Sequence, residues 1–295
     1  MSNNTTAPAY LTTREVAELL RVRERKVYEL AAEGDIPCRR VTGKLLFPRD
    51  ELEAWIAGDS AVPVEALPEI IAGSHDPLLD WAIRESGSGL ATFFDGSLDG
   101  LERVAERRAV AAGMHVFEAE DQGWNICHVE ARAGSAPVVL IEWAMRQRGL
   151  ITAADLSPPI KGVADLAGRR IVQRQPSAGA RLLLEYLLGE ARIAIEDVDF
   201  LPELARTETE AAAAVAAGRA EAAPGLEAVA RQFGLPFVPT VRERFDLLVD
   251  RRAWFEPPFQ ALLRFTRSEE FSRKATELGG YDIAGLGTVR WLSPG

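Results

Sequence analysis

From Leu67 onward the chain repeats one event. A short apolar run ends at a small or hydroxyl residue, and a helix begins there. Ile70-Ile71-Ala72 ends at Gly73-Ser74-His75-Asp76-Pro77, before a helix carrying Leu78, Leu79, Trp81 and Ala82. Leu90 to Phe94 ends at Asp95-Gly96-Ser97, before Leu98, Leu101 and Val104. Arg170-Ile171-Val172 leads through Gln175 to Pro176-Ser177-Ala178-Gly179, before the helix Leu182 to Leu188. Thr207-Glu208-Thr209-Glu210 opens a helix over 211–217. Met114-His115-Val116 reads as a short strand after an alanine-rich helix, and Val138–Ile141 and Phe245–Val249 read as buried strands. Strands alternating with helices require mainly parallel sheets covered on both faces. Such sheets bind ligands at strand C-termini. Helix N-termini placed there expose unpaired amides and partial positive charge, which suits a compact anion.

The first sixty residues follow a different rule. Thr12-Thr13-Arg14-Glu15 is a capping box, with the Thr12 hydroxyl and the Glu15 carboxylate satisfying each other's amides. Val16, Leu19 and Leu20 follow at helical spacing, and a break at Arg21-Val22-Arg23 leads to a helix carrying Val27, Leu30 and Ala31. Gly34 closes it, two β-prone runs flank Thr42-Gly43, and Pro48 precedes a helix with Leu52, Trp55 and Ile56 inward. Helix, tight turn, helix, hairpin and helix is the order of a winged helix-turn-helix.

Charge divides the same way. The total is −10, but residues 1–58 hold nine basic and nine acidic side chains, and residues 21–49 alone hold eight against four. The acidic excess lies wholly in 59–295. That distribution excludes a chain coated with basic charge and leaves one positive stretch suited to a phosphate backbone. With only Cys38 and Cys127, there is neither a disulfide framework nor a zinc pattern. No apolar run reaches a membrane span, so a cytoplasmic protein without a membrane segment is expected.

The stretch "YLTTREVAELLRVRERKVYELAAEGDIPCRRVTGKLLFPRDELEAWI" resembles the DNA-binding module of the excisionase and MerR-like families. The resemblance implies that the second helix enters the major groove of an operator and that the wing touches its backbone. Arg23, Arg25, Lys26 and Tyr28 would lie on or near the recognition helix, Arg39, Arg40 and Lys44 on the wing, and Thr12 and Thr13 near a phosphate. The alternative reading is a solvated face paired with Glu24 and Glu29.

The pieces "GSHDPLLDW", "FFDGSLDGLERV", "GMHVFE", "DLAGRRIVQRQPSAGARLLLEYLL" and "TETEAAAAVAAGRAEAAPGLEAVARQFGLPFVPTVRERFDLLV" resemble the periplasmic-binding-protein-like domain often fused to a helix-turn-helix. That domain is related to type II binding proteins for molybdate and tungstate. The resemblance implies an α/β fold of two parts: a winged helix-turn-helix over 1–58, a linker over 59–66, and a two-lobed type II domain over 67–295. Lobe 1 would take 67–155 and 246–295, and lobe 2 would take 156–245. It implies an oxyanion held by Ser74, His75, Asp76, Ser97, His115, Ser177, Gly179 and Thr209. The lobe 2 loop departs from the family pattern at Ala178 and Ala180, and Glu210 stands where a histidine is usual, so a carboxylate pointing inward there would repel a dianion.

The expected function is a ligand-responsive, homodimeric DNA-binding transcriptional regulator without cofactor, catalytic residue or metal. One alternative is an enzyme on the same fold using His75 and Asp76 as an acid–base pair. Another is a sensor of a small carboxylate, with Arg174 or Arg181 as its cation.

Overall fold

The computed structural model describes residues 9–41, 44–56 and 67–294. The hairpin tip Thr42-Gly43 and the linker at 59–66 lie outside the described residues. The chain divides into two compact units, Met1–Ala66 and Leu67–Gly295.

The first unit runs β1 (Tyr10–Thr12), α1 (Thr13–Leu20), α2 (Glu24–Glu33), β2 (Arg39–Val41), β3 (Lys44–Pro48) and α3 (Arg49–Ile56). The capping box forms: Thr12 accepts from Glu15 N, and Glu15 Oε2 accepts from Thr12 N at 2.7 Å. Arg21, in the left-handed region at φ 54°, ends α1, so α2 starts after only two further residues. Gly34 at φ 78° ends α2. The strands order β1-β3-β2, all antiparallel. Leu11, Val16, Ala17, Val27, Ile36, Phe47 and Leu52 form the core. Leu19 and Ile56, expected inward, are exposed, because each falls one position beyond the stripe that meets this small sheet.

The second unit continues with β4 (Ile70–Gly73), α4 (Pro77–Glu85), β5 (Ala91–Phe94), α5 (Ser97–Ala105), β6 (Ala111–Met114), β7 (Phe117–Glu118), β8 (Gly123–Trp124), α6 (Ile126–Ala133) and β9 (Val138–Thr152). Then come β10 (Arg170–Arg174), α7 (Gly179–Glu190), β11 (Asp199–Ala205), α8 (Glu208–Ala216), β12 (Ala222–Leu226), α9 (Glu227–Phe233) and β13 (Phe237–Asp250). The unit closes with α10 (Pro257–Phe265), α11 (Glu269–Leu278), β14 (Tyr281–Asp282) and β15 (Val289–Leu292). One sheet holds ten strands, and its main path is β11-β10-β12-β9-β13-β6-β4-β5.

Both ends of this sheet are parallel: β4 with β5 and β6, and β10 with β11 and β12. The middle is antiparallel, because β9 and β13 pair along most of their length. The sheet is therefore mixed rather than mainly parallel. Only the opening residues of β9 and the later half of β13 had read as strand, since charges at Glu142, Arg146, Arg148, Arg242, Glu243 and Arg244 interrupt their apolar pattern. β12 pairs with Arg148–Thr152 of β9, so the second half of the sheet begins inside that strand, before the boundary expected at 155. β6 also begins earlier than expected. Ala111 and Ala112, read as helix, are central strand residues with no exposure, where small side chains let α5 lie close: a Cβ at Gly100 would stand 2.9 Å from that of Ala112.

Two apolar clusters pack the faces of the first half, around Leu78, Trp143, Phe245 and Phe271 and around Leu101, Met114, Val129 and Leu248. A further cluster around Ile171, Leu184 and Leu188 packs the second half.

Candidate functional site

Where β9 and β13 cross between the halves, the buried face is charged. Side chains two apart on a strand share a face, so Arg146 and Arg148 point the same way. Glu243 lies opposite Arg146 in the pairing register. Arg146 and Arg148 both pair with Glu243, the latter from its Nε to Glu243 Oε2 at 2.7 Å. Arg146 Nη1 also donates to Asp76 Oδ2 at 2.9 Å, and Arg148 Nη2 to Glu208 Oε1 at 2.9 Å. Glu208 Oε1 receives Arg174 Nη1 as well, at 3.0 Å. Three guanidiniums and three carboxylates thus form one chain, Asp76–Arg146–Glu243–Arg148–Glu208–Arg174, with every side chain at most 2% exposed. Burial raises the carboxyls of Glu243 and Glu208. The facing arginines outweigh burial and hold both below the usual carboxylate range.

The expected site residues fall around this chain, in roles different from those expected. Asp76 is the N-cap of α4: its Oδ1 accepts from Leu79 N at 2.7 Å and from Trp143 Nε1 at 3.2 Å, and its Oδ2 accepts from Tyr281 at 2.6 Å. Burial and the Asp76 charge together push the Tyr281 phenol up. Ser74 is not a cap, because Pro77 sets the helix start beyond it. Its hydroxyl meets His115 Nε2 at 2.8 Å. His115 N donates to Ser97 Oγ at 3.2 Å. His115 is fully buried, and burial pushes its imidazole down to about 4 against the opposing pull of Glu243. Its Nδ1 stands 2.9 Å from Glu243 Oε2 without the alignment of a hydrogen bond. His75 lies edge-on to Phe94 with Nδ1 unpartnered, and burial lowers its pKa against the pull of Glu208 and Asp76.

Ser177 and Gly179 join the halves directly. Ser177 Oγ donates to the Asp95 carbonyl at 2.9 Å, and the Ser177 carbonyl accepts from Leu98 N at 3.0 Å. The first turn of α5, expected to face an anion, is therefore met by Ser177 of the opposite half. A Cβ at Gly179 would stand 2.4 Å from the His115 carbonyl oxygen, so only glycine permits this approach. Thr209 is not the cap of α8. Thr207 is, accepting from Glu210 N at 3.0 Å, and Thr209 lies half-buried one turn position further in.

The departures at the loop are also resolved. Ala178 and Ala180 are buried at the start of α7. Glu210 is exposed and accepts from Arg206 N at 2.6 Å, so the feared inward carboxylate is not Glu210. It is Glu208, two residues earlier. Sequence reasoning missed Arg146, Arg148, Glu208 and Glu243. The available signal was an Arg-x-Arg inside an apolar strand, whose alternation places both charges on a buried face.

In the first unit, Thr12 is exposed, with its hydroxyl donating to Glu15 Oε2 at 2.8 Å, and Thr13 is buried where α1 meets the sheet. Arg23, Arg25, Lys26 and Tyr28 are exposed on or beside α2. Arg25 and Lys26 reach Glu29 at 3.0 and 3.7 Å, with the Arg25 side chain 91% exposed. Arg39 pairs with Glu51 at 2.9 Å. Arg40 and Lys44 are exposed and form no ion pair among the described residues. Such surface pairs are worth at most about 1 kcal/mol and yield readily to a phosphate.

A family model described as the PBP superfamily domain matches residues 80–267, well over half of the chain. The chain belongs to the PBP superfamily. A helix-turn-helix domain model matches residues 10–60. Over 94% of its length the chain is 25% identical to YvgK, an uncharacterized protein of Bacillus subtilis (strain 168), of which it covers 96%. It is 32% identical over 79 residues to an uncharacterized protein in the ferredoxin 2Fe-2S gene 5′ region of Clostridium pasteurianum. That match takes in 26% of this chain and 70% of the relative. Among solved structures, a putative phosphate ABC transporter substrate-binding protein with bound phosphate, from Clostridium perfringens, aligns with a TM-score of 0.55 at 13% identity. It covers 73% of this chain and 98% of that one. This likeness establishes the fold of the PBP domain. No helix among the described residues is long and apolar enough to cross a membrane.

Proposed function

We propose that this PBP superfamily chain is a cytoplasmic, homodimeric transcriptional regulator that binds duplex operator DNA through its helix-turn-helix and a small oxyanion between the two halves of its PBP domain. The observation that carries the ligand reading is Arg148. It is fully buried at the crossing of the halves, paired on both sides, and still holds an Nη1 without a hydrogen-bond partner. A buried guanidinium with an unmet donor is a strong site for a tetrahedral anion. Molybdate or tungstate is the ligand suggested by the resemblance of the loops, and Ser74 and Ser97 both meet His115, whose ring lies against Glu243 of the charge chain.

A sensor is favoured over an enzyme because Asp76 is committed to Leu79, Trp143, Arg146 and Tyr281. It is therefore not the orienting carboxylate that a His75 general base requires. On the DNA side, exposed Arg23, Arg25, Lys26 and Tyr28 on or beside the second helix, Arg39, Arg40 and Lys44 of the wing, and Thr12 at the start of the first helix form the phosphate-facing set. Ligand would act by binding the two DNA-binding states with different affinity.

Calorimetry of ligand-free, full-length protein with molybdate, tungstate, sulfate and phosphate tests the ligand. Heat of binding with at least one is expected, and none with all four refutes the oxyanion reading. A gel shift on operator fragments with and without the bound anion tests the coupling. Equal DNA affinity in both arms refutes regulation by that ligand.

A further inference from the structure

We propose that Glu208 is an internal competitor for the ligand, an affinity- and specificity-determining residue whose carboxylate holds the guanidiniums of Arg148 and Arg174 until an oxyanion displaces it. The inference rests on the oxyanion reading above and names how that site selects its ligand.

Three observations carry it. First, Glu208 Oε1 alone bridges both cations, at 2.9 and 3.0 Å, where a tetrahedral anion's oxygens would be expected. Second, the pairing is incomplete on both sides. Glu208 Oε2 and Arg148 Nη1 are fully buried and have no hydrogen-bond partner. A buried charged atom without a partner is destabilising, so the arrangement has something to gain from a ligand with more acceptors than one carboxylate oxygen. Third, Glu208 is the first residue of α8, directly after its cap Thr207, and its neighbours Arg206, Thr207 and Thr209 are exposed or half-buried. Its side chain can leave the interior without unpacking the helix body, where Ala211, Ala212, Ala214 and Val215 hold the core.

Charge then sets the selection. The chain of six residues is neutral with Glu208 in place, and expelling Glu208 leaves it one positive charge in excess before the ligand arrives. An anion must therefore replace a full, well-placed charge. A dianion with four acceptor oxygens does so, whereas a monoanion such as nitrate only matches what it removes. Discrimination against abundant monoanions follows from competition, without a steric filter.

The test compares wild type, Glu208→Gln and Glu208→Asp as full-length proteins, by calorimetry with sulfate, molybdate and nitrate. Glu208→Gln should bind each anion at least tenfold more tightly and bring nitrate closer to sulfate, while Glu208→Asp, which keeps the charge, should bind less tightly than Glu208→Gln. If wild type binds a dianion and Glu208→Gln binds it equally or more weakly, the competitor role is refuted and the oxyanion reading stands. If none of the three proteins binds any anion, both fall together. Should Glu208→Gln not fold, hydrogen exchange on wild type decides. Displacement should speed exchange of the amides 208–212 when the dianion binds, and slower exchange there overturns the inference.

Discussion

Asp76 joins four parts of the PBP domain through one carboxylate, and its replacement should show it. Its two oxygens cap α4, hold the Trp143 indole and the Tyr281 hydroxyl, and neutralise one end of the buried charge chain at Arg146. Removing one partner of a buried ion pair costs about 3–5 kcal/mol, because the other charge is left stranded. Here Glu243 still faces Arg146, which places the loss near the lower end, about 3 kcal/mol. Loss of the cap adds about 1 kcal/mol. Orphaning the two buried donors adds about 1 kcal/mol or more. These terms share one carboxylate and do not sum independently. Asp76→Ala should therefore cost about 4–5 kcal/mol, and Asp76→Asn, which keeps the cap acceptor, about 3 kcal/mol. Urea unfolding followed by tryptophan fluorescence reads this domain selectively, since five of the six tryptophans lie beyond residue 66. A loss below about 1 kcal/mol for Asp76→Asn would mean that Arg146 does not depend on this carboxylate, and the account of the charge chain would fail.

Acidification separates two buried groups of opposite sign. His115, pushed down to about 4, binds its proton later in the folded state than in the unfolded one. It therefore withdraws about 3 kcal/mol of stability as pH falls from about 6.5 to 4. Asp246, pushed up to about 6 by burial, takes its proton earlier in the folded state and adds stability as pH falls from about 6 toward 3.8. His115→Asn should expose the Asp246 effect, so that stability rises between pH 6 and 5. A profile falling as steeply as that of wild type would count against the assignment. Gly179→Ala should destabilise the domain by about 1–3 kcal/mol in thermal unfolding, because the new methyl meets the His115 carbonyl. A variant as stable as wild type would show that the halves need not approach so closely there. Arg25→Ala and Arg40→Ala should each weaken duplex DNA binding and reduce the slope of log affinity against log salt by about 1 in gel shifts. An unchanged slope would remove that side chain from the phosphate contacts.

The boundary between legible and hidden features follows the range of the interactions. The capping box at Thr12 and Glu15, the αL stop at Gly34 and the strand-to-helix turns at Gly73, Gly96 and Pro176 were all readable. Each is decided by residues within one turn of chain. The caps of α4 and α8 are Asp76 and Thr207 rather than the hydroxyls Ser74 and Thr209, because Pro77 sets the start of one helix and Thr207 that of the other. Ser74, Ser97, His115 and Gly179 meet one another in the fold, through contacts that the strand-end pattern alone does not reveal.

What only the tertiary structure decided is the electrostatic centre. Arg146, Arg148 and Glu243 look like surface charges in a linear reading, because sequence alone prices a charge at its cost of burial. They are buried because β9 and β13 pair through the middle of the sheet and bring each charge against its opposite. Glu208 and Arg174 join them from the other half, and Asp76 from the first. The sequence by itself determined that the chain has a DNA-binding type of head and an α/β body with helix starts at strand ends. Long-range pairing decided that the buried centre of the body holds a neutral row of matched charges, since partners 34 to 97 residues apart cancel only once the fold has brought them together.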